Sequence, residues 1–103
     1  MNGPTDFGAV FERLARERRR EETVEPGGVN VRMVRVAAGG EGRRDRHEHG
    51  AETLVVWSGA STVESSDHTL TPSAGQCRVV PIGAEHRGTS REGARVVLSQ
   101  RAS

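Results

Sequence analysis

Short runs of β-branched residues, each broken by glycine or proline after a few positions, constrain this chain more than any other feature. Val29, Val31, Met33, Val34 and Val36 form one such run and Gly39 follows it; Leu54 to Trp57 ends at Ser58 and Gly59. Arg78 to Val80 is closed by Pro81 and Gly83, and Ala94 to Ser99 follows Gly93. Thr62 to Glu64 pairs across Ser66, Asp67 and His68 with Thr69 to Thr71, and Pro72 to Gly75 forms the next turn. Valine supplies 13 residues and leucine 4. Valine's branched β-carbon is stiff in a helix but packs well on a pleated surface, so these runs read as strands. Many short strands joined by glycine-bearing turns predict an all-β sandwich or barrel. Within the first run, Val29, Val31 and Met33 share one parity while Val34 and Val36 take the other. That pattern requires either a bulge or cover on both faces.

The N-terminal segment has a different period. Phe7, Val10, Phe11 and Leu14 fall at i, i+3, i+4 and i+7, behind Thr5 or Asp6 as a cap, which predicts a short amphipathic helix. Pro26, Gly27 and Gly28 are its expected stop. The chain therefore divides into a helix and linker at residues 1–28 and a β domain at 29–103, one domain overall. Arg16, Glu17, Arg18, Arg19 and Arg20, interleaved with acids at Glu21 and Glu22 and lacking any aromatic, read as a solvated helix face.

Fifteen basic residues against 14 acidic ones give a net charge of +1, which points to neither nucleic acid nor membrane as partner. Every basic residue is arginine, so Schiff-base chemistry on a lysine side chain is excluded; without tyrosine there is no phenolic acid. A hydrophobic content of 33%, with Phe7, Phe11 and Trp57 as the only aromatics, makes a thin core. Such a core calls for help from a metal or a second subunit. Cys77 is the single cysteine, so no intrachain disulfide forms, and it is expected as a small packing residue. With no apolar run near the ~18 residues of a membrane span and no hydrophobic leader, a cytoplasmic location is expected. The lysine-free, arginine-rich usage points to a bacterial source.

Four histidines are present, and three fall in two places: His47 and His49, with Glu52 shortly after, and His86 beyond Pro81 and Gly83. Side chains at i and i+2 on a strand share a face, roughly 6 to 7 Å apart, and can share one cation. Imidazoles plus a carboxylate suit a divalent transition metal: zinc, iron, manganese, nickel or cobalt. The candidate ligands are His47, His49, Glu52 and His86. The fourth histidine, His68, reads as a turn residue.

The segment from Gly75 to His86, with its glycine, proline, glycine and histidine at Gly75, Pro81, Gly83 and His86, resembles the second conserved motif of the cupins. Glu52 and Gly59 resemble the end of the first motif, and the resemblance runs from about Val29 to Gln100. Three positions depart from the pattern. Only Gly50 and Ala51 separate His49 from Glu52, Glu41 stands where a glycine is usual, and Ser90 replaces an asparagine. The resemblance implies a small antiparallel jelly-roll barrel, open at one end, with a metal inside on the strands that carry the two motifs. It also implies that Gly59 and Gly75 supply positive φ at strand ends, while Pro81 and Gly83 bend the chain to bring His86 toward the first two histidines.

Small bacterial cupins resemble tailoring enzymes of natural-product pathways, so the function implied is metal-dependent cyclisation, isomerisation, oxygenation or bond formation on a small molecule. Glu48 and Glu85, adjacent in sequence to ligands, are the candidates for moving a proton, although strand alternation sets both at opposite parity to those ligands. The alternatives are a non-catalytic small-ligand-binding or sensing cupin and a zinc-dependent regulatory partner. Thin core and open sheet edges together predict a homodimer.

Overall fold

The computed structural model describes residues 4–39, 44–46, 51–65, 69–80 and 85–101, with backbone alone for 44–46, 65, 85, 86 and 101. Asp6 Oδ1 accepts a hydrogen bond from the Ala9 amide at 3.1 Å and opens helix α1 (Phe7–Glu17). Val10, Phe11 and Leu14 are buried along one stripe, as their spacing predicts. The helix ends earlier than its sequence stop. Arg18 turns left-handed at φ 55°, its amide bonds to Ala15 O at 3.2 Å, and the Arg19 amide bonds to Leu14 O at 2.9 Å. This pair of bonds is a Schellman closure.

Residues between that closure and Pro26 form strand β1 (Glu21–Val24), which the charge pattern alone does not reveal. Pairing with a neighbouring strand decides the matter: β1 runs antiparallel to β2 (Val29–Val36), with Glu22 opposite Met33. Pro26–Gly28 then makes a tight turn between the two, with Gly27 left-handed at φ 60°.

The remaining strands are β3 (Arg44–Arg46), β4 (Glu52–Gly59), β5 (Thr62–Ser65), β6 (Thr69–Leu70), β7 (Cys77–Val80), β8 (Glu85–Thr89) and β9 (Ala94–Arg101). They form two antiparallel sheets, one ordered β1-β2-β9-β4-β7 and the other β3-β8-β5-β6. Arg44–Arg46 pairs with β8. A three-residue arginine-aspartate strand carries no periodic signal, so only the partner strand defines it.

The five-stranded sheet is covered on both faces. On the inner face Val34, Leu54, Val56, Val96 and Leu98 meet Val63 of the second sheet. On the outer face Val31, Met33 and Val97 take up Val10, Phe11 and Leu14 of α1. The parity switch at Met33 and Val34 is thereby explained without a bulge, since β2 pairs with β9 without a break from Val29 to Val36. Burying both faces turns alternation into a continuous apolar run.

A register shift does occur, in β4 between Val56 and Ser58. The intervening Trp57 reaches the helix side, with its ring edge-on to Phe7 at 5.7 Å between centroids and tilted against Phe11 at 6.5 Å. Thus the helix packs on its own sheet. β4 ends at Gly59, whose φ of 78° is left-handed and whose missing side chain leaves room for the Gly93 carbonyl.

Candidate functional site

Strand β4 alternates from its first residue: Glu52, Leu54 and Val56 are buried, and Leu54 and Val56 belong to the inner cluster. Glu52 therefore stands on the inner face of the sheet. It is 4% exposed, which is unusual for a carboxylate bordering an apolar cluster. The strand has not slipped, despite the short spacing after His49, because Glu52 pairs with Gln100 of β9 and Val80 of β7 in the same continuous register as Leu54.

A buried carboxylate needs compensation, and β2 brings a cation to it. Arg32 has the inner-face parity of Val34, and its Nη2 lies 3.9 Å from Glu52 Oε2. Its Nε lies 3.4 Å from Glu21 Oε2 on β1. Arg32 thus links a half-buried acid on β1 to the buried acid inside. Sequence reading did not single it out, although its parity within β2 was visible.

Between the sheets lies a cavity of about 110 Å³. Leu54, Val96 and Leu98 form an apolar wall, while Arg32, Ser61 and Gly88 border it elsewhere. Backbone register places position 86 in the strand that contributes Gly88. His86 is directly opposite Asp45 of β3 and Ser65 of β5, two residues along from Gly88, which pairs with the buried Val63. Glu85, one residue earlier, pairs with Arg46.

His47, Glu48, His49, His68, Pro81 and Gly83 lie outside the described residues. Gly75 adopts positive φ, 87°, as expected. Ser90, in place of the usual asparagine, holds its turn by donating to Ala60 O at 2.7 Å and accepting from the Gly93 amide at 3.0 Å. Cys77 departs from expectation: it is exposed, because β7 is the edge of its sheet and α1 does not reach across it. No helix among the described residues is long and apolar enough to cross a membrane.

A family model for the cupin domain matches residues 32–99. No curated protein matches this sequence significantly. Among solved structures, a Neisseria meningitidis protein superposes with a TM-score of 0.82 at 21% identity, covering 97% of this chain and 100% of its own. A cupin-2 domain protein from Shewanella frigidimarina gives 0.80 at 20% identity, covering 94% and 93%. The protein KdgF from Halomonas gives 0.66 at 19% identity, covering 81% and 78%. At these identities the likeness establishes the fold.

Proposed function

Because the chain belongs to the cupin family, we propose that it binds one divalent transition metal through His47, His49, Glu52 and His86 and acts there on a small molecule. The observation that carries this reading is Glu52, a carboxylate turned into the interior at 4% exposure, at the end of an apolar face whose next residue, Leu54, lines the intersheet cavity. Two imidazoles upstream in sequence and a third at a position on the facing sheet would complete a nitrogen and oxygen donor set of the kind zinc, iron, manganese, nickel and cobalt accept.

The bound cation would supply Lewis-acid polarisation of a substrate oxygen or activation of a water. The chain's own residues set the rest. Arg32 neutralises part of the charge on Glu52 and holds the carboxylate toward the interior. Leu54, Val96 and Leu98 exclude water from one wall of the cavity and limit its size. At about 110 Å³ that cavity is well below the ~300–1,000 Å³ of sites for drug-sized ligands, so it admits a compact molecule or one end of a larger one. Glu48 and Glu85 are the candidate proton carriers. The reaction class we favour is a tailoring step, and the working unit we infer is a homodimer.

Elemental analysis of protein purified without chelators tests this reading, with about one metal per chain expected. His86→Ala and Glu52→Leu should each lower metal content, and thermal stability should fall with it because ligand binding and folding are linked. Full metal content in both variants would sink the assignment.

A further inference from the structure

Five arginines meet around an open cleft of about 600 Å³ at the end of β4 opposite Glu52, where Ser58 contributes to the wall. They are Arg18, Arg19, Arg20, Arg35 and Arg95. Val36, Ala37, Ala38 and Ala94 give the cleft an apolar floor, and among the described residues no acidic side chain lines it. Since the whole chain carries a net charge of only +1, this concentration of positive charge is local. The sequence pattern, read as a solvated helix face, misses it because α1 stops at Glu17 and Arg18 to Arg20 continue beyond the helix.

Several features hold the arginines in place. Arg35 Nη1 donates to Leu14 O at 3.3 Å and to Arg19 O at 3.1 Å, which fixes its guanidinium at the helix end while leaving its other N–H groups available. The Arg95 guanidinium sits over the Phe11 ring, 5.8 Å from its centroid. Arg19 is paired with Glu17 at 3.2 Å and Glu22 at 3.4 Å. By contrast, the side chains of Arg18 and Arg20 have no acidic partner among the described residues, and Arg18 occupies the left-handed closing position that glycine fills most easily. Clustered like charges with two members unneutralised, one of them on strained backbone, call for an external anion.

We propose that this cleft is a binding site for a small phosphorylated molecule; it adjoins the intersheet cavity, sharing Arg20 and Val36 with it, but its described lining does not include Glu52. Guanidinium forks match phosphoryl oxygens bidentately, and a phosphoryl group carries up to two charges where a carboxylate carries one. The volume exceeds that of a phosphate ion and falls in the range of small-molecule sites. Bases of single-stranded nucleic acid stack on aromatic side chains, and the described residues of the cleft lining include none.

Isothermal titration with inorganic pyrophosphate at low ionic strength tests the proposal. The full chain should bind with a sub-millimolar dissociation constant that weakens as salt rises. The Arg18→Gly, Arg20→Gln double variant should lose at least tenfold in affinity while keeping a cooperative thermal transition. Arg91→Gln, an exposed arginine outside the cleft, should stay within twofold of the parent chain. Glu52→Gln should also retain binding, which separates the cleft from any effect of pyrophosphate on a metal. Equal weakening in the double variant and Arg91→Gln, or loss confined to Glu52→Gln, would overturn the site. Citrate binding as tightly as pyrophosphate would overturn the phosphoryl class, and tighter binding of a labelled oligonucleotide would overturn the small-molecule assignment.

Discussion

Replacing Arg18 by glycine should make this protein more stable. Arg18 closes α1 at φ 55°, and its side chain is exposed with no acidic partner among the described residues, so the substitution removes no packing. A left-handed L-residue costs about 1 to 2 kcal/mol, whereas glycine adopts that conformation freely. Against this, glycine adds freedom to the unfolded chain worth about 0.4 to 1 kcal/mol. The balance is a gain of about 0.7 kcal/mol. For a chain of 103 residues, an unfolding entropy of about 2.1 cal/mol/K per residue gives roughly 0.2 kcal/mol/K, so the midpoint should rise by about 3 °C. Differential scanning calorimetry resolves such a shift, and chemical denaturation should show a higher midpoint at unchanged slope. Arg18→Ala is the control: alanine meets the same steric penalty and should leave the midpoint within about 1 °C. An alanine variant stabilised as much as the glycine one, or a glycine variant no more stable than the parent, would refute the argument that backbone strain resides at this position.

Other outcomes follow from the packing. Phe11→Ala should lose about 3 to 5 kcal/mol by urea denaturation, since Phe11 is fully buried between α1 and the sheet, and the near-ultraviolet signal of Trp57 should change with it because their rings touch. Gly59→Ala should lose about 2 to 4 kcal/mol, combining left-handed strain with a collision against the Gly93 carbonyl; a loss below ~1 kcal/mol would contradict the close approach. Light scattering at micromolar concentration should report about twice the 11.1 kDa chain mass. Val79→Glu, placed on the exposed edge strand where Val79 is 56% exposed, should shift that mass toward one chain.

Much of this fold can be read from the apolar residues, because burial is what their spacing reports. Val10, Phe11 and Leu14 mark the helix face, and adjacent burial at Met33 and Val34 marks a sheet covered on both sides. Elements built from charged residues are harder to read: β1 begins with two glutamates and β3 is arginine, aspartate, arginine, and each exists only by virtue of its partner strand. The candidate site divides similarly. Glu52 could be located from its distance to Gly59, whereas Arg32 and the arginine cleft depend on where the helix stops and which strands become neighbours. Those are tertiary facts with no local spacing to announce them.

The sheet order has a kinetic consequence. β9 lies at the centre of the five-stranded sheet, between β2 and β4, and Val34 pairs with Val96 some sixty residues further along the chain. Among the described strands those two flanking ones meet only through β9, so loop-closure entropy must be met before the inner cluster, which spans Val34 to Leu98, can consolidate. Folding should therefore be slow for a chain of this size, on a scale of milliseconds to seconds, with β9 docking as the event that commits the molecule. Substitutions at Val96 or Leu98 should then slow refolding more than they hasten unfolding, whereas those in α1, which settles on a finished sheet, should act on unfolding.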